Sequence, residues 1–550
     1  MAGDGGLDSF CGSEFWNVNT TWNTTNPHFT ECFERTVLVW IPCGFLWLFS
    51  AIEVHYLLKS KDRLVPWSFL NISKLVGSGA LLVVELIDII YEIVRNNSKS
   101  YNVYPNDFLV PVILFMSILL QTVFVVLEKK RGIQSNGYMF LFWVLLAVCG
   151  IPQYRSYFTM YAENELEMFS FVLYNIYYPL TVVMFLLNCF ADSRPQVLDY
   201  PRGPQSCPEP DASFLSRITF FWLDGLVWRG YRTSLVQEDL WKLSQECASS
   251  TVIHDWDKNW SKSSTKAYKK GESDTRATFN NETEQVHVTG TAGDGKTYIS
   301  VLPTMVKTFG REFLAGSALK LIYDLMQFVS PQILSWLIDF TDKETDEVEQ
   351  WKGFFYAGLM FVVAQIQSMI LGQYFARTFL VGLKIRTGVI SAVYRKALRI
   401  SSSARKESTV GEIVNLMSVD AQRFMDLTTY LNMLWSAPLQ IILALYFLWQ
   451  ILGPSVLSGL FVLVVLIPVN GFIANHVKKL QIKQMKYKDK RVKMMNEILN
   501  GMKVLKLYAW EPSFENQVLE IRQKEIHVLK KAAYLNAATS FIFTCTPFLV

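Results

Sequence analysis

The sequence has little charge for its length. Only 18% of its 550 residues are Asp, Glu, Lys or Arg, whereas soluble proteins carry about 25%. Hydrophobic residues make up 51% of the chain, and many lie in runs close to the roughly 20 residues that a bilayer-spanning helix needs. This pattern excludes an ordinary soluble domain and predicts an all-α polytopic membrane protein embedded in a lipid bilayer.

Three other features are weak or missing. The first 30 residues hold no apolar stretch after a basic start, so no cleavable signal peptide is visible and the first hydrophobic run must direct its own insertion. The eight cysteines are scattered, and none has the spacing of metal ligands. The net charge of +4 is small, and we expect no nucleic-acid partner.

Hydrophobic runs divide the chain into two blocks, separated by a polar stretch of more than 100 residues. The last run is still apolar at Val550, so we expect the chain to be a fragment of a longer protein. The ten runs lie near 36–58, 74–94, 108–127, 137–151, 169–190, 312–340, 354–380, 427–450, 454–475 and 533–550.

The charges in the short loops indicate an orientation. Basic clusters at 59–63 and 129–131 follow the first and third runs, and acidic loops at 163–167 and 342–349 lie on the opposite side. Because Lys and Arg accumulate in cytosolic loops, the bias places the N-terminus outside and the polar stretch 191–311 in the cytosol.

The predicted outer tail, residues 1–35, carries two kinds of modification site. Asn19 and Asn23 begin glycosylation sequons, which are used only when they reach the lumen. Cys11 and Cys32 are the only cysteines of the tail, where oxidation is favoured, so we expect a disulfide between them.

The polar stretch 191–311 has two parts. Residues 208–247 contain an amphipathic segment that can lie in the bilayer interface or against a neighbouring domain. Residues 255–298 are poor in large aliphatic side chains and are predicted to be disordered. GTAGDGKT at 290–297 matches a phosphate loop, but it lacks a buried strand before it and a soluble domain around it. We therefore predict that Lys296 does not bind ATP.

Three stretches of the second block resemble a known family. SSARKESTVGEIVNLMSVDAQRFMD, LNMLWSAPLQIILALYFLWQILGPSVL and MNEILNGMKVLKLYAWEPSF are similar to the first core transmembrane domain of the multidrug resistance-associated proteins, subfamily C of the ABC transporters. The first block and its FLSRITFFW linker resemble the same family. The resemblance covers nearly the whole chain apart from about 250–300.

The resemblance implies a domain layout. A five-helix transmembrane domain (36–190) precedes a cytosolic linker (191–311) with a lasso at 208–247, and then a core transmembrane domain (312–550) that stops within its fifth helix. The nucleotide-binding domains, with their ATP and Mg²⁺, and a second core domain would follow Val550. The full-length protein would be an ATP-dependent translocase of the plasma membrane.

The resemblance also implies the cargo, which is amphipathic anions: glutathione, glucuronate and sulfate conjugates, together with drugs and glutathione itself as a candidate. A regulatory subunit of an ion channel, like the sulfonylurea receptors, is the alternative function. Arg offers a rigid fork of donors that suits a carboxylate or sulfate. Carried over by residue, the family's substrate site comprises Lys320, Tyr323, Leu371, Phe375, Arg423, Tyr430 and Phe543.

A simpler interpretation of these residues stays open. Lys320 and Asp324 are four residues apart and can neutralise each other, and Arg423 and Asp426 can do the same. A charged group inside a membrane helix is costly unless it faces a partner or a polar cavity, and the sequence does not distinguish these two cases.

Overall fold

The computed structural model describes residues 10–60, 64–97, 104–162, 168–193, 206–263, 265, 300–342, 350–400 and 410–549. Within these ranges every regular element is a helix and no strand occurs, which confirms the predicted all-α class. The chain forms two compact units, Met1–Met433 and Leu434–Val550, and each is described by itself.

Five helices build the N-terminal bundle. Each has 21 to 29 residues, enough to cross a hydrocarbon layer of about 30 Å at about 1.5 Å per residue. Leu46, Ile118 and Trp143 are fully buried at the centre of its apolar core. The helices are α1 (Glu31–Lys59), α2 (Phe69–Asn97), α3 (Pro105–Arg131), α4 (Gly137–Ala162) and α5 (Met168–Asn188).

Two ion pairs join elements of the bundle, and pairing lowers the cost of burying charge in an apolar layer. Arg35 Nη1 contacts Asp107 Oδ1 at 2.5 Å, which joins α1 to α3. At the other end of the bundle Lys74 Nζ contacts Asp192 Oδ2 at 3.0 Å, which joins α2 to the residues after α5. These pairs fix the register of the helices at both ends.

The linker begins with α6 (Phe214–Thr219) and α7 (Asp224–Arg232). Ser213 caps α6, because its side chain accepts a hydrogen bond from the backbone N–H of Ser216 at 3.3 Å. The Phe214 ring lies 5.6 Å from that of Phe140, so the start of α6 is anchored on the bundle.

The prediction of disorder from residue 255 is wrong for its first part, because residues 249–263 form a helix, α8. Val252 and Trp256 are buried against Met305 and Phe309, with Trp260 packed beside them. Composition suggested disorder, yet these three apolar residues recur every four positions on one face. Residues 266–299, which contain the rest of this prediction and the GTAGDGKT stretch, lie outside the described residues.

The core helices of the first unit follow. The 48 residues of α11 extend about 70 Å at 1.5 Å per residue, more than twice the hydrocarbon thickness. The helix continues without a break from Gln350 past the apolar run 354–380 to Ala397. The helices are α9 (Leu302–Met326), α10 (Val329–Asp342), α11 (Gln350–Ala397), α12 (Val410–Asn415) and α13 (Ala421–Leu431), with a π-helical turn at Leu416–Asp420 between the last two.

The second unit consists mainly of two long helices joined by a short one. Gly501 separates α15 from α16, and Ala509, with a left-handed φ of 52°, separates α16 from α17. Glu525, only 2% exposed, accepts hydrogen bonds from Arg491 Nε at 2.9 Å and Arg522 Nη1 at 2.9 Å. The helices are α14 (Met433–Leu452), α15 (Val456–Asn500), α16 (Met502–Tyr508) and α17 (Glu511–Leu549).

The tail before α1 contacts both the bundle and the first turn of α11. A disulfide joins Cys11 to Cys32. The Trp22 ring packs edge-on against that of Trp351, with 5.5 Å between centroids. Trp351 Nε1 donates to the carbonyl of Thr24 at 2.8 Å, so the tail is held by an aromatic contact and a hydrogen bond.

Among the described residues, seven helical segments are long and apolar enough to cross a membrane. One of them, Val410–Asn500, contains two of the predicted runs. The second and tenth runs lie in α2 and α17, which are not among the seven.

Candidate functional site

Three helices of the first unit, α9, α11 and α13, form the framework of the candidate site. At Gly382 of α11 an added Cβ would lie 2.6 Å from Thr428 Oγ1 and 3.1 Å from Met425 Cα, so only glycine permits this close approach to α13. Ser317 Oγ of α9 donates to Asn432 Oδ1 at 2.7 Å, directly after α13.

Lys320 is buried on α9, with 9% of its surface exposed. Its ammonium contacts Asp324 Oδ1 at 2.5 Å and lies 4.9 Å from the centre of the Tyr323 ring. Asp324 is fully buried. One helix turn therefore holds a cation, its counter-ion and an aromatic face, and of the two interpretations left open by the sequence the structure contains the ion pair.

Arg423 is different, because its side chain is 76% exposed on α13. Its Nη1 lies 3.5 Å from Asp426 Oδ2, and that carboxylate is itself 49% exposed. Tyr430 is 64% exposed on the same helix. A distant contact between two accessible groups is weak, so the guanidinium keeps donors for another anion.

Leu371 and Phe375 lie one turn apart on α11, where the linker contacts this helix. Phe375 is 40% exposed and its ring stacks 6.1 Å from that of Phe379. Between them, Gln373 Nε2 donates to the carbonyls of Arg217 and Ile218 at 3.0 and 3.1 Å. Helix α6 of the lasso therefore contacts α11 beside two of the predicted substrate contacts.

Phe543, the seventh predicted substrate residue, lies on α17 in the second unit and is 62% exposed. The other six belong to the first unit, on α9, α11 and α13. Helix α11 packs against both α9 and α13, so the six predicted residues lie on three adjoining helices.

Sequence reasoning missed the polar pair Ser317–Asn432 beside this site. Asn432 is 1% exposed, and its 2.7 Å hydrogen bond joins residues 115 positions apart. An asparagine at the start of a long apolar run was the available signal, because a buried amide in a membrane segment requires a partner. The partner itself could not be read from local spacing.

Two family models match the chain. Residues 8–170 match the ABC transporter TMD0 domain, and residues 313–550 match the ABC transporter transmembrane region. The chain is therefore a polytopic membrane segment of an ABC transporter, built from an accessory five-helix domain and core transmembrane helices.

The similar proteins refine this class. The chain is 42% identical to human ATP-binding cassette sub-family C member 3, 41% identical to the mouse protein of the same name, and 34% identical to human sub-family C member 2. Each similarity covers 99% of this chain and 36% of the relative, so the chain spans about a third of the length of these proteins. The chain belongs to the ABC transporters of subfamily C, the multidrug resistance-associated type.

Proposed function

We propose that the full-length protein to which this chain belongs exports amphipathic organic anions, including glutathione, glucuronate and sulfate conjugates and drugs, from the cytosol. The similar proteins reported above are named ATP-binding cassette proteins. ATP and Mg²⁺ would be bound by nucleotide-binding domains beyond Val550, and a second core domain would complete the substrate pathway.

The observation that supports an anionic cargo is the contrast between the two cations. Lys320 is buried and engaged by Asp324, whereas the Arg423 guanidinium is exposed and only loosely paired. A conjugate's carboxylate or sulfate would bind Arg423 directly through two parallel hydrogen bonds. Lys320 would make the electrostatic potential near the site more positive, and Tyr323, Leu371, Phe375 and Tyr430 would contribute apolar and aromatic surface.

Direction and location are also part of the proposal. The basic clusters at 59–63 and 129–131 support an extracellular N-terminus in the plasma membrane. The end of α11 would then extend into the cytosol, because this 48-residue helix is longer than one bilayer is thick. Substrates would enter from that side. The sulfonylurea-receptor-like alternative is not favoured, because the similar proteins are members 2 and 3 of the subfamily.

The test is ATP-dependent uptake of a radiolabelled glutathione conjugate into inside-out vesicles that contain the full-length protein. We expect Arg423→Ala to raise KM about 10- to 100-fold, the effect of losing one charge-assisted hydrogen-bonding group. Arg423→Lys should recover only part of the loss, because Lys lacks the planar fork. Asp426→Asn is the matched control and should leave uptake intact.

Lys320 requires a double variant, because removing it alone leaves Asp324 buried and unpaired. Lys320→Met is expected to impair uptake under either interpretation. The combination Lys320→Met with Asp324→Asn removes both charges at once. Uptake that stays low in the combination supports a role for the cation in anion binding. Full recovery would show that Lys320 only neutralises Asp324, and wild-type uptake in Arg423→Ala would refute the proposed site.

A further inference from the structure

A cleft separate from the substrate site lies on the N-terminal bundle, between the start of α2 and the end of α3. Its volume is about 170 Å³. Apolar side chains form most of the wall, Asn71 contributes an amide, and two lysines stand at the rim. The lining residues are Leu64, Trp67, Asn71, Leu75, Val125, Val126, Lys129 and Lys130.

The cleft is held in shape by contacts of the segment before α2. The Val65 N–H donates to the carbonyl of Lys129 at 3.0 Å. Ser60 Oγ donates to the carbonyl of Arg131 at 3.2 Å, and Arg131 Nη1 returns a hydrogen bond to the Ser60 carbonyl at 3.3 Å. Ser60 and Val65 are thus hydrogen-bonded to the end of α3, and Trp67 lies against Lys129.

The two rim lysines differ from two other cations at this end of the bundle, Lys74 and Arg131. Lys74 contacts Asp192, and Arg131 is bonded to Ser60. Lys129 Nζ lies 2.8 Å from the centre of the Trp67 ring, a cation–π contact. Within the described part of the chain, no carboxylate forms an ion pair with Lys129 or Lys130.

We propose that this cleft binds an anionic glycerophospholipid of the cytosolic leaflet. The ammonium groups of Lys129 and Lys130 hold the headgroup phosphate and carboxylate, Asn71 bonds the glycerol region, and the first acyl carbons pack on Leu75, Val125 and Val126. Trp67 lies just before α2, and tryptophan concentrates at the ends of membrane-spanning helices. The proposal relies on the orientation given above, which puts the end of α3 at the cytosolic surface, where anionic lipids are enriched.

The test uses the full-length protein in phosphatidylcholine nanodiscs containing a small fraction of phosphatidylserine with a diazirine near the glycerol end of one acyl chain. After irradiation, mass spectrometry identifies labelled peptides. We expect labelling within 64–75 and at Val125 or Val126. Unlabelled phosphatidylserine should compete with it, whereas added phosphatidylcholine or inorganic phosphate should not.

Three variants test the two halves of the site. Lys129→Gln should reduce site labelling about 5-fold and the Lys129→Gln, Lys130→Gln pair about 25-fold, from the attraction of each lysine to an anionic leaflet. Val126→Trp fills the cleft while keeping both charges, and it should also abolish labelling. Lys59→Gln, an exposed lysine at the same end of the bundle that does not line the cleft, is the matched control and should label normally.

The outcomes are distinct. Labelling lost in the lysine variants and in Val126→Trp, but kept in Lys59→Gln, supports the site. Equal competition by phosphatidylcholine would mean annular lipid without headgroup selection. Competition by inorganic phosphate would mean a free-anion site. Either result overturns the proposal, as does unchanged labelling in the paired lysine variant. Conjugate uptake by the same variants reports on folding, so a failure here is separable from a failure of the export function.

Discussion

The guanidinium of Arg395 binds both carboxylate oxygens of Asp257, with Nη1–Oδ2 at 2.5 Å and Nη2–Oδ1 at 2.6 Å. This pair joins α8 of the linker to the last turn of α11. The adjacent Trp256, 1% exposed, packs where an added Cβ at Gly388 would lie 2.7 Å from its ring. An ion pair and an apolar anchor therefore hold the same helix.

The apolar anchor should contribute more than the ion pair. Trp256→Ala is expected to weaken the docking of α8 by about 3–5 kcal/mol, through lost burial and a cavity. Asp257→Asn should cost about 0.2–1 kcal/mol, because both partners are near 40% exposed. Hydrogen exchange over 249–263 in the full-length protein measures both effects. His254→Ala, exposed on the same helix, is the control. Equal loss of protection in the two variants would contradict this ranking.

The crossing of α11 and α13 provides a second prediction. Gly382→Ala forces a methyl group into Thr428 and the backbone of Met425, and it should destabilise the protein by about 1–3 kcal/mol. Gly358→Ala on the same helix meets nothing within 4 Å and should be neutral or stabilising by up to about 1 kcal/mol. The thermal unfolding midpoints of the two purified variants should move in opposite directions, or only the first should move.

The second unit should be sensitive to acid through Glu525. Hydrogen bonds from Arg491 and then Arg522 lower the pKa of this carboxyl below its ordinary value of 4.5. A lowered folded-state pKa means that the stabilisation is complete above the unfolded-state pKa and is lost as pH falls through the folded-state pKa. Cross-linking of cysteines introduced on α15 and α17 should therefore be constant near neutral pH and decline in acid.

At neutral pH, cross-linking between α15 and α17 in Glu525→Gln should be as low as it is in the wild type in acid. The variant loses about 1–3 kcal/mol of stabilisation, because two charge-assisted hydrogen bonds become neutral ones. Glu520→Gln is the control, because Glu520 is 68% exposed and pairs only with Lys524 on its own helix. If cross-linking in Glu525→Gln still declines in acid by as much as in the wild type, a group other than Glu525 causes the decline.

Glycosylation tests the orientation. Asn19 and Asn23 are exposed on the N-terminal tail, which the proposed orientation places outside. Asn19→Gln and Asn23→Gln should therefore each remove one glycan, and the double variant two. Gel mobility before and after endoglycosidase treatment is the measurement. Asn259→Gln should change nothing, because its sequon lies in the linker, where Asn259 donates to Thr308. A glycan at Asn259 would reverse the proposed topology.

The phosphate-loop match gives a negative prediction. Lys296→Ala should leave ATP photolabelling and conjugate uptake of the full-length protein unchanged, because no buried strand precedes this stretch in the sequence. Lys296 lies outside the described residues, so this expectation depends on the sequence alone. Lost labelling in this variant would restore the stretch as a nucleotide site.

The long helices could be predicted from sequence because their apolar period is local and repeated. The extension of α11 to Ala397 is an example. Helix α15 likewise continues past its apolar run 454–475 to Asn500, where Gly501 separates it from the short helix α16. Helix α8 was missed because Lys, Ser and Thr dominate its composition, although Val252 and Trp256 carry the helical spacing.

The candidate site was predictable only in part. Spacing alone allowed Lys320 to pair with Asp324, but it could not show that the carboxylate is fully buried while Arg423 remains accessible. Those differences depend on how α9, α11 and α13 cross. The Ser317–Asn432 contact is equally non-local, since it depends on packing between helices far apart in sequence.

The seating of Trp22 on Trp351 has a practical consequence for truncation. A shortened protein that begins after residue 30 would uncover Trp351, Phe355 and Tyr356 together, because all three rings lie within 6.3 Å of the Trp22 centroid. Uncovered aromatic clusters at a water-facing helix end promote self-association. Aggregation of such a shortened form in detergent would then result from the exposed aromatic surface rather than from a misfolded core.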